Sequence, residues 1–398
     1  MKGKAPESSC VWFRQARFGM FVHYGLYSIP GRGEWVMFRE RIPQTEYRKL
    51  IQKFRPKEKV VEQWVRLARK SGMKYMVLTA RHHDGFCLFG TTTDDNNSVQ
   101  AVGRDIVGEY VRACHKYGIG IGLYYSVADW NDNRFISGPK QDPVGWRGFV
   151  KKVHSQLREL MTRYGEIKYL FYDGCPAPET WRCAEINAAI RKMQKGILIS
   201  DRCGLNEDVL SREKFTGSDP GKLWETCTTT NGSWGYNKAD HQWKTPRYIV
   251  TELFSCAHNG GNYLLNIGPQ ADGTVPVSAV KILRSVGSWM RRNGRAIYGT
   301  EPHPFSYHDQ HLSTAKGKTV FIGLQEYYGP ETVVAGVGNK VRSVSILGTQ
   351  HSIIFRQEKD RLFLVGLPDR EPDPLLTVLQ IEVQGTPRGV PNPLRWNW

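Results

Sequence analysis

The first 300 residues alternate short, continuously apolar runs with amphipathic segments, and this alternation limits the fold more than any other feature. Apolar runs such as 75–80 (YMVLTA) and 119–125 (IGIGLYY) are typical of strands that are covered on both faces, as in a parallel sheet. Segment 57–71 instead repeats its apolar residues at the spacing of one helix face, and Gly72 stands where that helix should end. Repeated strand–helix units of this kind predict an α/β protein.

The predicted elements favour a closed barrel. We predict strands at 18–23, 75–80, 119–125, 167–172, 197–200 and 264–267. We predict helices at 57–71, 105–117, 149–164, 179–193 and 276–292. The number of units and the chain length favour a (β/α)8-like TIM barrel over an open doubly wound sheet. No GxGxxG or GxxxxGK motif follows the first strand, so the sequence gives no support for a nucleotide-binding fold.

The pattern changes after residue 298. Short alternating or β-branched runs separated by turn residues follow, at 319–324, 332–337, 341–347, 352–357, 362–365 and 376–383. Such a series predicts an antiparallel β-sandwich of about 100 residues. We therefore expect a catalytic barrel at 1–300 and a C-terminal β-sandwich at 301–398.

Charge and cysteine content exclude several classes of protein. The formal net charge is +17, but the basic residues are scattered along helices, which indicates solvated faces and not a nucleic-acid site. The eight cysteines show no CxxC pair. No apolar stretch reaches the roughly 18 residues needed to span a membrane, and the N-terminus lacks a hydrophobic signal core. We expect no membrane partner and a cytoplasmic chain, or a secreted or periplasmic one if a leader has been removed.

Polar side chains follow the predicted strands at the point where each strand ends. In a barrel these carboxyl ends meet at one mouth, where catalytic groups lie. Each such residue alone is common as a helix cap or a structural hydrogen-bonding group, but successive strands all carry them. They are His23, Arg81, His82, His83, Asp84, Tyr124, Tyr125, Ser126, Asp173, Asp201 and Arg202. The sequence therefore predicts one polar site at the mouth of the barrel.

A metal centre is the first alternative for the histidines. His82 and His83 are adjacent, so a regular strand points them to opposite faces. The HExxH spacing of a zinc site is missing from the sequence. We therefore expect no catalytic metal.

Paired carboxylates explain the site better, because glycoside hydrolysis needs one carboxylate and one carboxylic acid. Asp173 is the predicted nucleophile, since it ends a strongly apolar strand and Gly174 after it leaves room for a ligand. Spacing does not select its partner. The candidates by position are Glu34, Asp129, Glu207, Asp208, Glu213, Asp219 and Glu225.

The same residues lie in motifs that resemble glycoside hydrolase family 29, the α-L-fucosidases. The resemblance covers residues 12–299. Its motifs are WFRQARFGMFVHYGLYS at 12–28, GEWV at 33–36, KYMVLTARHHDGF at 74–86, GLYYS at 122–126, YDG at 172–174, LWETC at 223–227, SWGYN at 233–237, GGNYLLNIGP at 260–269 and DG at 272–273. All of these motifs occur in the same order as in the family, so a chance match is an unsatisfactory explanation.

The resemblance implies a distorted (β/α) barrel followed by a β-sandwich, and a retaining double displacement without a cofactor. It gives Asp173 the role of nucleophile. The residues implied to bind the fucose are His23, Glu34, Trp35, His82, His83, Tyr125, Arg202 and Trp234, with Phe171 facing the methyl group. The hydroxyls and the methyl group of fucose require such a mixture of hydrogen-bonding side chains and aromatic faces.

The acid/base of the family lies in a variable loop after the nucleophile strand. Here that loop is expected at 206–222, and Glu213 stands about where the acid/base would be. Glu225 is the rival, although its stretch is more typical of a strand whose glutamate supports the site from behind.

Two other classes of function remain open on the sequence. One is a sugar-binding relative without catalysis, which a chromogenic aryl fucoside would distinguish from an enzyme. The other is a polyanion-binding protein, suggested only by the charge of +17 and testable by heparin retention across salt. The candidate carboxylates favour an exo-acting, retaining α-L-fucosidase whose substrates are fucosylated oligosaccharides or glycoconjugates.

Overall fold

A sheet of parallel strands forms the centre of the computed structural model, which describes residues 4–214, 221–304, 311–349 and 351–391. The described strands of this sheet are β1 (Phe18–Val22), β2 (Tyr75–Arg81), β3 (Gly120–Ser126), β4 (Tyr169–Asp173), β5 (Leu198–Ile199), β6 (Val209–Glu213), β7 (Leu223–Thr229) and β8 (Asn262–Ile267). Their spatial order is β5-β4-β3-β2-β1-β8-β7-β6, and a parallel bridge between Ser200 and Val209 joins the two edges. The predicted barrel is confirmed.

Helices pack around this barrel and within the loops that join its strands. They are α1 (Glu7–Ala16), α2 (Val36–Arg39), α3 (Gln44–Tyr47), α4 (Val60–Lys70), α5 (Ser98–Val102), α6 (Ile106–Tyr117), α7 (Asn133–Gln141), α8 (Pro143–Arg163), α9 (Cys183–Met193), α10 (Pro246–His258) and α11 (Val277–Asn293). Local signals define their ends: the Asp105 side chain accepts from the backbone N–H of Gly108 at the start of α6. Gly118 ends α6 in the left-handed conformation, with φ of 63°.

Among the elements of the barrel, the sequence prediction missed the helices α1, α2, α3, α5, α7 and α10 and the strand β6. Thr245 caps α10 and Pro246 occupies its first turn, so a readable start signal was present there. Strand β6 lies where the family resemblance implied a loop at 206–222, and its sequence, VLSRE, is short and mostly polar. Between β5 and β6 the described chain forms only a 3-10 turn, Asp201–Cys203, which makes this part of the barrel irregular.

Side chains alternate between the barrel interior and the surrounding helices. On β3, Tyr124 packs inside the barrel with Phe21 and Phe171, whereas Tyr125 packs with the residues under the helices. Strand β4 follows the same rule, since Phe171 faces inward and Tyr172 outward. This two-residue period decides which strand-end side chains reach the mouth.

The remaining strands form two antiparallel sheets. They are β9 (His311–Lys316), β10 (Thr319–Leu324), β11 (Glu331–Val334), β12 (Val341–Ile346), β13 (Ile354–Glu358), β14 (Arg361–Val365) and β15 (Thr377–Val383). One sheet has the order β12-β15-β10-β9 and the other β11-β14-β13. Residues of both sheets share one apolar core, which confirms the predicted sandwich.

The sandwich packs directly against α10 and α11. The indole N–H of Trp289 donates to the carbonyl oxygen of Leu376 at 2.8 Å. Arg247 pairs with Glu371, and Arg292 pairs with Asp373. The division into domains at 1–300 and 301–398 stays a proposal, because the main apolar cluster of the barrel runs on into residues of the sandwich such as Leu376.

Candidate active site

A cavity of about 260 Å³ opens at the carboxyl ends of the barrel strands. Ten of the predicted site residues line it, which are His23, Glu34, Trp35, His82, His83, Phe171, Asp173, Arg202, Glu213 and Trp234. It is also lined by Phe21, Tyr124, Ala128, Trp130, Gly174 and Cys227. The barrel therefore brings residues from β1 to β7 and their following loops to one place.

Asp173 ends β4, where two side chains hydrogen-bond to it and a third lies close by. Its Oδ2 accepts from the hydroxyl of Tyr124 at 2.8 Å, and its Oδ1 accepts from Nη2 of Arg202 at 2.6 Å. The Nε2 atom of His83 lies 3.6 Å from Oδ2. Burial by itself would raise the pKa of Asp173, but the charge and hydrogen bond of Arg202 outweigh it and lower that pKa below its ordinary value. Asp173 is therefore an ionised carboxylate.

Glu213 ends β6 on the other side of Arg202. Its Oε1 lies 3.0 Å from the same Nη2 atom that binds Asp173 at 2.6 Å. The two contacts bring one oxygen of each carboxylate to the same guanidinium nitrogen, so the two carboxyl groups are neighbours in the cavity. A retaining glycosidase uses two neighbouring carboxyl groups, about 5–5.5 Å apart.

Glu225 lies below the floor of the cavity. It faces the barrel interior on β7, two residues before Cys227, and is fully buried. Its carboxylate accepts hydrogen bonds from the hydroxyls of Tyr75 and Tyr169, at 2.8 and 2.7 Å. Glu225 does not line the cavity, so the geometry favours Glu213 as the partner of Asp173.

Three of the other carboxylates that spacing left open form ion pairs elsewhere. Asp129 pairs with Arg81 and Lys152, and both Glu207 and Asp208 pair with Arg191. Asp219 lies outside the described residues.

Three neutral histidines line one side of the cavity. Burial, which disfavours the charged imidazolium, lowers the pKa of His23 and of His83 to about 4. Burial also lowers the pKa of His82 well below its ordinary value. Nδ1 of His23 lies 2.7 Å from Oδ1 of Asn266, whereas Nδ1 of His82 is buried without a hydrogen-bond partner among the described residues. Neutral imidazoles both donate and accept, which suits sugar hydroxyls.

Glu34 and the aromatic side chains complete the wall. Oε2 of Glu34 accepts from the backbone N–H of Gly235 at 2.8 Å, which fixes this carboxylate at the cavity. The Trp234 ring lies 5.2 Å from that of His23, and the Trp35 ring lies 5.4 Å from that of His83. Polar groups and flat apolar faces therefore line one cavity.

The structure does not bring Tyr125 to the cavity, and the expectation that it binds the sugar is corrected. Its hydroxyl donates to Oε1 of Gln156 on α8 at 2.7 Å, on the outer side of the barrel. Tyr124 takes the inner position and contacts Asp173. A signal in the sequence could have distinguished the two tyrosines. Side chains alternate along β3, and its Ser126 pairs with the inward-facing Asp173 of β4, so Tyr124 faces inward and Tyr125 outward.

Trp130, Phe21 and Cys227 also line the cavity without having been predicted. Trp130 lies in the loop after β3, where no strand or helix pattern indicates whether a side chain points to the cavity. Phe21 was hidden within an apolar run, and Cys227 lies in the LWETC segment, where no pattern marked it as a residue of the site. Within the described part of the chain, no group of three or more His, Cys, Asp or Glu side chains is placed to hold a metal ion. The absence of a catalytic metal and of a cofactor stays a prediction.

None of the described helices combines the length and the apolar character that crossing a bilayer requires.

Comparison with known sequences gives one consistent result. The family model described as alpha-L-fucosidase matches residues 3–295. The plasma alpha-L-fucosidase of Rattus norvegicus is 33% identical over 323 residues, which cover 73% of this chain and 70% of the relative. The tissue alpha-L-fucosidase of Mus musculus is 30% identical over 418 residues, which cover 94% and 90%.

Solved structures give the same result. Alpha-L-fucosidase isoenzyme 1 from Paenibacillus thiaminolyticus aligns with a TM-score of 0.89 and 32% identity, covering 95% of this chain and 99% of its own. A GH29 alpha-L-fucosidase from Bacteroides thetaiotaomicron aligns with a TM-score of 0.89 and 27% identity, covering 97% and 98%. That structure is described as a trapped covalent intermediate with 2-fluoro-fucosyl fluoride, obtained with a glutamate-to-glutamine mutant.

Proposed function

This chain belongs to the α-L-fucosidase family, and from that premise we propose that Asp173 and Glu213 are the nucleophile and the acid/base of its reaction. The chain is a retaining, exo-acting α-L-fucosidase that removes terminal α-L-fucosyl units. One observation carries the assignment of the two residues. Nη2 of Arg202 binds Oδ1 of Asp173 and Oε1 of Glu213, which supports a pair of neighbouring carboxylates that act together, as a retaining enzyme requires.

The first step forms a fucosyl-enzyme. Ionised Asp173 attacks the anomeric carbon, and the bond from that carbon to the leaving oxygen breaks. Glu213, protonated, gives its proton to the leaving oxygen. Asp173 loses its charge as the ester forms and Glu213 becomes a carboxylate. Arg202 contacts both groups, so its positive charge has one carboxylate partner before and after this step.

The second step releases fucose. Glu213 takes a proton from water, the water oxygen attacks the anomeric carbon, and Asp173 leaves as a carboxylate. Two displacements on opposite faces retain the configuration. The greater side-chain exposure of Glu213, 45% against 22% for Asp173, supports this division, because the acid/base must meet both the leaving group and water.

The cavity wall supports fucose as the sugar. His23, His82, His83 and Glu34 supply hydrogen-bond donors and acceptors along the cavity wall. Phe171 offers an apolar face at the cavity floor, where the methyl group of fucose would lie. The substrates we propose are fucosylated oligosaccharides or glycoconjugates.

The roles are tested by replacing each carboxylate and adding azide. Asp173→Ala should lose turnover, and azide should restore release of a good leaving group with formation of β-fucosyl azide. Glu213→Ala should keep the first step with an aryl fucoside, and azide should give the α-fucosyl azide. The product configuration follows from which face of the sugar remains open to the anion.

Glu225→Gln is the matched control, since it neutralises a carboxylate below the same cavity. It should hydrolyse aryl fucosides within about threefold of the wild-type rate and show no azide rescue, because Glu225 does not reach the cavity. Rescue of Glu225→Ala but not of Glu213→Ala would overturn the assignment.

Two accompanying expectations concern location and partners. We propose a cytoplasmic location, and the support is that all eight cysteines are free thiols, as is usual in a reducing compartment. The expectation that the chain does not bind nucleic acid stays a prediction.

A further inference from the structure

Phe38 is an exposed aromatic side chain close to the active-site cavity. It lies on the short helix α2 with 60% of its surface exposed. Among the described residues, no other phenylalanine or tryptophan is as exposed. An apolar surface that covers such a ring stabilises it. Because Phe38 lies next to the active site, that surface is expected to belong to the substrate.

Phe38 continues the aromatic wall of the cavity outward. Its ring lies 5.4 Å from that of Trp130 at an angle of 31°, and 5.5 Å from that of Trp35 at 88°. Trp35 and Trp130 themselves lie 5.1 Å apart and line the cavity. We call Phe38 and Trp130 together the rim platform.

The loop that carries Trp130 is fixed by hydrogen bonds. The backbone N–H of Trp130 donates to the carbonyl oxygen of His83 at 2.8 Å, and its carbonyl oxygen accepts from Nε2 of Gln44 at 3.0 Å. One residue earlier, the buried Asp129 pairs with Arg81 and Lys152. Trp130, the inner half of the rim platform, is therefore preorganised, which lowers the cost of binding a ligand there.

We propose that the rim platform stacks against the pyranose ring of the sugar to which the terminal fucose is attached. The proposal rests on the proposed function. An exo-acting enzyme holds only the terminal unit in its cavity, so the next sugar lies at the rim. The C–H face of a pyranose is apolar while its hydroxyl edges are wet, and an aromatic face covers such a surface well. The platform thus selects fucosylated oligosaccharides over fucosides with small leaving groups.

The test compares two substrates on the intact enzyme. α-L-Fucosyl fluoride has no second ring, whereas fucosylated N-acetyllactosamine has one. Phe38→Ala should lower kcat/KM for the oligosaccharide about tenfold, the loss expected when roughly 60 Å² of apolar contact is removed. It should leave kcat/KM for the fluoride within about twofold. Phe38→Tyr keeps an aromatic ring and should keep the wild-type kcat/KM for the oligosaccharide. The matched control is Tyr328→Ala, which removes an exposed aromatic side chain of the sandwich.

A second measurement does not depend on turnover. N-acetyllactosamine alone, titrated into the wild-type enzyme, should change the tryptophan fluorescence saturably, because Trp130 belongs to the platform. The midpoint should rise about tenfold in Phe38→Ala, for the same loss of contact.

The outcomes separate the platform from the proposed function. Equal losses on both substrates, or no loss on either, would overturn the platform. A wild-type enzyme that does not hydrolyse the fluoride would contradict the proposed function, and the fluorescence titration would then decide the platform by itself.

Discussion

Glu225 should make the folded protein less stable as the pH rises. Its side chain is fully buried in the barrel, and the hydroxyls of Tyr75, Tyr169 and Ser211 surround its carboxylate. Burial, which disfavours the charged form, outweighs these hydrogen bonds and raises the pKa of Glu225 from 4.5 to about 7. Replacing Glu225 by glutamine removes this ionisation while keeping the shape of the side chain.

The size of the effect follows from the two pKa values. The folded protein keeps the proton on Glu225 up to about pH 7, whereas the unfolded chain releases it near pH 4.5. Between these values the folded state binds more protons, so the free energy of unfolding falls as the pH rises and stays lowered above about pH 7. At about 1.4 kcal/mol for each unit of pKa, the loss amounts to roughly 3 kcal/mol.

The assay is urea unfolding of the wild-type protein and of Glu225→Gln, from about pH 4.5 to about pH 8. The free energy of unfolding of the variant minus that of the wild type should increase by roughly 3 kcal/mol across this range. Groups that titrate alike in both proteins cancel in the difference. Glu46→Gln, a change of the same charge at an exposed position, should give a difference that varies by less than about 0.5 kcal/mol.

A difference that stays constant with pH would refute the reasoning, because it would mean that Glu225 has the same pKa in both states. A difference that decreases with rising pH would show that the three hydroxyls stabilise the carboxylate more than burial destabilises it.

Two further predictions concern the nucleophile. Tyr124→Phe removes the hydroxyl that donates to Asp173 at 2.8 Å, and kcat/KM for an aryl fucoside should fall about tenfold, whereas Tyr125→Phe should stay within about twofold. Equal effects of the two changes would contradict the inward position of Tyr124. Gly174→Ala places a methyl group 2.9 Å from the His83 ring at a φ of 56°, so kcat/KM should fall by about ten- to a hundredfold while binding of N-acetyllactosamine is kept.

The order of strands and helices and the position of Asp173 could be predicted from the sequence. A strand covered on both faces is a continuous run of apolar residues, and a helix places an apolar residue every three to four positions. Both patterns can be read within a short stretch of sequence. Asp173 follows its strand directly, and a strand end in a barrel faces the mouth. Strand β6 could not be predicted in this way, since its pairing with β7 stabilises a segment whose own sequence is largely polar.

Only the tertiary structure decided which of the side chains near Asp173 face the cavity and which do not. Tyr124 and Tyr125 are identical in chemistry, and the phase of β3 against β4 sends one to the nucleophile and the other to α8. Glu213 and Glu225 lie on adjacent strands, but the stagger of the barrel puts one at the mouth and the other a layer below. The sequence by itself determined which residues stand at the strand ends, because that depends on neighbours in the chain. The depth of a side chain in the barrel, and whether it faces inward or outward, depend on strand register. Residues far apart in the chain determine that register together.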